Sequence, residues 1–321
     1  MRKVFFYFDY NLRYGMGHYN RCKVIAEKLK NKKIQSYLIC FLKLKKKIKN
    51  FKLIQFDDLK KKNIINSSLI IDSYTIDQKK LKIFKKKFKK IFCIEDIPSN
   101  KFKNNFAIIN SNFDVKNNRY SKKNFKKIFT GINYKLISSF DSKKIFKKNK
   151  KNITISFGAG KTLNRTRLFL QSVFNSLENL KFKYKIYLFM NLNIHQKNQI
   201  IKKYPNLKII INNISKKYYE KIIQSKFVIS SCGTQQDELI HWKIASIFIM
   251  IAKNQLYNFS LLQNLDKRIC FNILDKNFNN LYKLLDNMIN KNYDIKIINK
   301  FKKISLGKKT NRIINSILQG S

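Results

Sequence analysis

Gly15-Met16-Gly17-His18 is the first place where residue types and spacing suggest chemistry. The turn follows a short apolar run ending at Asp9 and opens a helical pattern. Gly15 and Gly17 permit positive φ and close backbone approach, so amides at a helix N-terminus can face an anion such as a diphosphate. His18 falls in the first helical turn, where the positive end of the helix dipole disfavours imidazolium. The ring stays neutral there, as a general base requires. A helix-capping turn with an incidental histidine fits the same spacing. Two later segments also offer small residues to a phosphate. Ile155-Ser156-Phe157-Gly158-Ala159-Gly160 reads as a strand followed by a small-residue turn into a helix, the layout of a phosphate-cradling loop. In Ser230-Ser231-Cys232-Gly233-Thr234-Gln235-Gln236-Asp237-Glu238, hydroxyls and a glycine precede a helix. The alternative there is a surface helix capped by Thr234.

Such turns need strands to hold them. Short apolar runs at Val4 to Phe8, Ser36 to Phe41, Leu53 to Phe56, Leu69 to Ile71 and Ile91 to Ile94 alternate with helical patterns at Gly17 to Lys30 and Asp77 to Lys89. Continuous apolar strands separated by helices predict a parallel sheet covered on both faces. Regularity fades after about residue 110, and 141–151 is a lysine-rich linker. The alternation restarts at Ile153 to Phe157 and runs to Ser246 to Ile251. The expected architecture is α/β, with two Rossmann-like doubly wound domains, 1–140 and 152–321, facing across a cleft, the second one ending in helices. Ligands in such sheets sit at the carboxyl ends of the strands.

Composition narrows the classes. The 321 residues suffice for two domains with their own cores, and a 44% hydrophobic content excludes disorder. The formal charge of +51 invites a nucleic-acid reading, yet only 8 of the 69 basic residues are Arg, the side chain that reads phosphates and bases bidentately. The lysines spread over the whole chain as solvated faces, so no specific nucleic-acid partner is expected. Five cysteines without metal-ligand spacing give neither a zinc site nor a disulfide framework, and Cys40, Cys93 and Cys270 are expected to be buried. No apolar stretch reaches the length of a membrane span. A cytoplasmic monomer without metal or cofactor is expected. His195 and His241 have no partners in the pattern.

The string Asp9-x5-Gly15-x-Gly17-His18-x2-Arg21-Cys22 resembles the opening of the UDP-2,4-diacetamido-2,4,6-trideoxy-β-L-altropyranose hydrolases of pseudaminic acid biosynthesis and their spore-coat polysaccharide-type relatives. These are similar in fold to GT-B glycosyltransferases. The resemblance implies that His18 is catalytic and activates the attacking water. Ile70-Ile71-Asp72-Ser73-Tyr74 resembles the family's Ile-Asp-His-Tyr, whose tyrosine lies at the active site. Ile94-Glu95-Asp96 resembles a strand end that reads Asp-Asp in relatives, and Gly131-Ile-Asn-Tyr134 a Gly-x-x-Tyr before the linker. Gly158 and Gly160 match a Phe-Gly-Gly-Ser-Asp loop in which Ala159 and Lys161 are departures. Ser230 to Glu238 looks like the Gly-Gly-Ser-Thr-x-x-Glu that grips the nucleotide, with Glu238 on the ribose; Cys232, Lys243 and Ala245 depart from glycine, glycine and proline. Asn254-Gln255 matches an Asn-Gln pair whose asparagine faces the sugar.

The resemblance covers about residues 1 to 265 and implies a metal-independent, inverting hydrolase of a UDP-sugar. His18, Tyr74 and Asn254 would be catalytic. Asp9, Gly15, Gly17, Arg21, Asp72, Gly158, Gly160, Gly233, Thr234, Glu238 and Gln255 would bind substrate. A glycosyltransferase of the same fold, with His18 deprotonating an acceptor hydroxyl, and a degenerate sugar-nucleotide-binding protein are the alternatives.

Overall fold

The computed structural model describes residues 3–9, 17–40, 48–61, 64, 66–98, 102, 106–112, 120, 125–138, 150–158, 163–212 and 217–319. The chain divides into two compact units, Met1–Ser139 with Leu306–Ser321, and Phe140–Ser305.

The first unit is a seven-stranded parallel sheet. Its strands are β1 (Lys3–Phe8), β2 (Gln35–Cys40), β3 (Lys52–Gln55), β4 (Ser68–Asp72), β5 (Lys90–Ile94), β6 (Phe106–Asn110) and β7 (Lys127–Thr130), in the order β3-β2-β1-β4-β5-β6-β7. Helices α1 (Gly17–Asn31), α2 (Phe56–Lys61) and α3 (Gln78–Lys87) connect them. Strand β1 is apolar along its whole length because both faces are covered. Val4, Phe6 and Phe8 pack with Cys22, Ile25, Ala26 and Leu29 of α1, whereas Phe5 packs with Leu81, Phe84 and Phe88 on the α3 side. The strand order reverses between β1 and β4, so the connections leaving their carboxyl ends run in opposite directions, the ligand position of a doubly wound sheet.

Strands β6 and β7 lie where the sequence pattern fades. They are five and four residues long, too short to show a period.

The second unit repeats the plan with β8 (Ile153–Ser156), β9 (Ile186–Phe189), β10 (Ile209–Asn212), β11 (Phe227–Ser231), β12 (Ser246–Met250) and β13 (Cys270–Asn272). All are parallel, in the order β10-β9-β8-β11-β12-β13, and the reversal falls between β8 and β11. Its helices are α4 (Leu163–Asn179), α5 (Ile194–Lys203), α6 (Lys217–Gln224), α7 (Thr234–His241), α8 (Leu256–Asp266), α9 (Leu281–Asn290) and α10 (Tyr293–Lys302). Lys243 follows α7 at φ +58, the left-handed conformation that favours the glycine expected there. Its ammonium donates to the carbonyls of Phe301 (2.9 Å) and Ile304 (3.0 Å), closing the end of α10.

One expected boundary moves. Residues 306–321 belong to the first unit, not to a second domain running 152–321. Helix α11 (Thr310–Leu318) places Ile313, Ile314 and Ile317 against Ile25 and Leu29 of α1 in one apolar cluster. Ser68 Oγ donates to the Ile317 carbonyl at 2.9 Å, and the Gly307 amide to the Ile132 carbonyl at 2.9 Å. Gly307 sits at φ +70, where a Cβ would meet the Lys135 carbonyl oxygen at 2.9 Å, so only glycine fits without a shift. The amphipathic pattern of α11 requires an apolar groove but does not say whose. Residues 141–149 of the expected linker lie outside the described residues.

Cys22, Cys40, Cys93 and Cys232 are buried free thiols, and Cys270 is only partly covered, against expectation, because it opens the edge strand β13.

Candidate active site

Four elements of the first unit converge at the β1/β4 reversal. His18 comes from the first turn of α1, Arg21 from one turn later, Asp72 from the last position of β4, and Tyr74 from the loop beyond it. Asp96 follows β5. His18 Nδ1 lies 2.5 Å from Asp72 Oδ1, and both residues are buried. Arg21 grips the same carboxylate with two donors, Nε to Oδ2 at 2.9 Å and Nη2 to Oδ1 at 2.8 Å. Its other nitrogen, Nη1, donates to Asp96 Oδ1 at 2.5 Å. The Tyr74 hydroxyl donates to Asp96 Oδ2. The Tyr74 ring meets the imidazole edge-on, with centroids 4.6 Å apart and planes at 81°.

This geometry sets the tautomer. Both Asp72 oxygens act as acceptors in the bidentate pair with the guanidinium, so the short contact requires Nδ1–H as donor. Nε2 is then the basic nitrogen. Arg21 Nη2 also lies 3.2 Å from Nδ1, a contact between two hydrogen-bearing nitrogens that share Oδ1 as acceptor. Burial alone would depress the Arg21 guanidinium, but Asp72 and then Asp96 outweigh it and hold it well above its ordinary value. Burial likewise pushes the Asp96 carboxyl up, and Arg21 together with the Tyr74 hydroxyl pulls it net below the usual carboxylate range. Cys22, beside this set, is driven far up by burial and stays a thiol.

Asp9 is near but does a different job. Its Oδ1 accepts from Ser73 Oγ (2.8 Å) and Thr75 Oγ1 (2.6 Å), and its Oδ2 from the amides of Tyr74 (2.8 Å) and Thr75 (3.4 Å). It braces the loop that presents Tyr74. Asp9→Ala is expected to lower stability by about 3 kcal/mol, because charge-assisted bonds contribute about 1.5–3 kcal/mol each and are not additive. Urea unfolding measures this, and an unchanged midpoint would mean that the loop holds itself.

In the second unit, Gly158 ends the β8 strand region at φ +89 with open space where a Cβ would stand. Gly233 caps α7 without any side-chain hydrogen bond, so the first amides of that helix are left to other partners. The Ser231–Gly233 turn is pinned from behind. Asn258 Nδ2 donates to the Cys232 carbonyl (3.3 Å), and Gln236 Nε2 to the Asn258 carbonyl (3.1 Å). Gln255 Oε1 accepts from the Ile251 amide at 2.9 Å, and its amide nitrogen comes within 3.9 Å of the Cβ position of Gly233. Asn254 is exposed in the short turn after β12. Glu238 is buried one turn into α7. Burial, with the Glu238 charge as a further contribution, raises the Tyr218 phenol, whose hydroxyl donates to Ser156 Oγ at 3.3 Å.

The structure thus gathers His18, Arg21, Asp72 and Tyr74 into one cluster, with Asp9 as its brace and Gly17 opening α1. It gathers Gly233, Thr234, Glu238 and Gln255 at the ends of β11 and β12. Gly15 and Gly160, with the departures Ala159 and Lys161, lie outside the described residues. Asp96 is the residue whose part in the cluster the sequence reading did not assign; its position two past the end of an apolar strand was the available signal. Among the described residues no group of three or more His, Cys, Asp or Glu is arranged to hold a metal ion. No helix among them is long and apolar enough to cross a membrane.

No protein-family model matches the sequence, and no curated protein does. Solved structures do match in fold over nearly the full length. Acinetobacter baumannii MurG is 14% identical over 99% of both chains with a TM-score of 0.61. TcCGT1 in complex with UDP is 8% identical, covering 99% of this chain and 98% of its own, at a TM-score of 0.64. The S. aureus MnaA–UDP structure is 12% identical, covering 99% and 96%, at 0.60. At these identities the likeness is one of fold, and the fold is the GT-B arrangement of two parallel-sheet α/β domains.

Proposed function

We propose that the chain is a metal-independent, inverting nucleotide-sugar hydrolase, releasing UDP from UDP-2,4-diacetamido-2,4,6-trideoxy-β-L-altropyranose or a close UDP-sugar. The observation that carries this reading is the buried His18–Asp72 pair at the carboxyl ends of β1 and β4. Nε2 of His18 takes a proton from water as the water oxygen attacks the anomeric carbon, and the bond from that carbon to the diphosphate oxygen breaks with inversion. Asp72 meets the charge of the resulting imidazolium without itself taking the proton. Tyr74 and Asn254 contact the sugar. The second unit holds the nucleotide, with the uncapped amides of α7 and the Gly158 turn at the diphosphate and Glu238 at the ribose hydroxyls. That UDP complexes occur among proteins of this fold supports the assignment.

Incubating the protein with that UDP-sugar tests the reading. UDP release without an acceptor, lost in a His18→Ala variant, is expected. No release above that variant overturns it. A second reading, glycosyl transfer, is supported by the transferases among the similar structures, such as the one from Rickettsia africae. Acceptor-dependent release would select it.

Glu238→Ala is expected to weaken UDP binding about 10- to 100-fold, the loss of one or two charge-assisted hydrogen bonds worth about 1.5–3 kcal/mol. Calorimetric titration with UDP reads it directly, and unchanged affinity would remove Glu238 from the ribose.

A further inference from the structure

Asp96 has no part in the chemistry just described, yet it is bonded to two residues that touch His18. Its Oδ1 accepts from Arg21 Nη1 at 2.5 Å and its Oδ2 from the Tyr74 hydroxyl. Its own backbone is fixed in turn, because Asn112 Nδ2 donates to its carbonyl. The Arg21 guanidinium is planar and rigid, so fixing one edge fixes the other. The edge held by Asp96 therefore determines where Nε and Nη2 stand, and those two donors fix both oxygens of Asp72. Asp72 Oδ1 in turn receives Nδ1–H of the imidazole. Tyr74 is 45% exposed, and a ring with that much freedom would swing toward water unless its hydroxyl were held.

We propose that Asp96 is a positioning residue for His18, setting the imidazole through Arg21 and Asp72 on one side and through the Tyr74 ring on the other. The charges agree with the geometry. Among the described residues, the groups bonded into the cluster around His18 include Arg21 of α1, Asp72 at the end of β4, Tyr74 beyond it and Asp96 after β5. Asp96 adds a second carboxylate to the one that Arg21 already balances, a contribution that favours an imidazolium. Asp96 acts in this way only if His18 is the general base proposed above, but its hold on the ring can be measured without any substrate.

The test pairs Asp96→Ala with the isosteric Asp96→Asn. Asp96→Ala is expected to lower kcat for UDP release roughly 10- to 100-fold, with a smaller rise in KM from the freed Tyr74 ring, because misorientation of a reacting group by about 1 Å costs rate on that scale. Asp96→Asn keeps acceptor capacity and is expected to recover part of the loss. The chain has three histidines, so ¹⁵N-labelled imidazole signals are few and a His18→Gln variant assigns those of His18. Wild-type protein should show the Nδ1–H tautomer, and Asp96→Ala a mixture. Wild-type kcat together with a wild-type ¹⁵N pattern in Asp96→Ala overturns the proposal; should that variant not fold, the same pair of results in Asp96→Asn does so. Absence of UDP release by the wild-type protein would defeat the hydrolase reading instead, and the ¹⁵N pattern would still decide the role of Asp96.

Discussion

His18→Ala is expected to slow UDP release by about 10²- to 10⁴-fold, the usual worth of a positioned general base, with UDP affinity unchanged within about twofold. The split follows from the placement of residues. The base belongs to the first unit, whereas Gly233, Thr234 and Glu238 all belong to the second. Truncating a buried imidazole also leaves Asp72 Oδ1 with one donor fewer, although Arg21 Nη2 still reaches it at 2.8 Å. The variant should therefore fold, which a near-wild-type thermal midpoint would confirm. Retention of more than a tenth of the activity would remove His18 from the proton transfer.

Asp72→Asn should be nearly as damaging, for a reason that can be followed donor by donor. In the native cluster Oδ1 accepts from both His18 and Arg21 Nη2, and Oδ2 accepts from Arg21 Nε. An asparagine must put its NH₂ at one of the two positions. Placed at Oδ1, it faces Nδ1 and forces the Nε2–H tautomer, which cannot accept the proton from water. Placed at Oδ2, it opposes the Nε–H of a buried arginine, a mispairing that costs about 1–3 kcal/mol. Rates are expected to fall about 10²- to 10⁴-fold, the range for losing a general base. Steady-state assays with ¹⁵N imidazole spectra read both effects, and near-native turnover with an intact Nδ1–H signal would refute the account.

Much of this cluster was legible because strand ends mark themselves. Asp9 and Asp72 close apolar runs, and His18 opens an amphipathic pattern, so the sequence alone puts each at a carboxyl end or helix start. What each acid does there was not legible. Asp72 is in register with Phe8, so Asp9 lies one position further along; one braces the 73–75 loop through Ser73 and Thr75, and the other meets Arg21 and orients the imidazole. The part played by Asp96 depends on β5 lying beside β4, a matter of strand order that periodicity does not encode. The departures in the second unit are informative in the same way. Lys243 keeps the left-handed backbone where the resemblance expects glycine and adds a bond to α10, so residue identity changed while the turn did not.

The return of α11 to the first unit also bears on the order in which the chain can complete its folding. Everything the second unit needs has been synthesised by residue 305, but the α1 face of the first unit stays uncovered until Ile313, Ile314 and Ile317 have been made. Domains generally close in the order of synthesis. Here the cluster around Ile25 and Leu29 cannot be completed before Ile313, Ile314 and Ile317 have been made, so that side of the first sheet stays open to other apolar contacts while the second unit is synthesised.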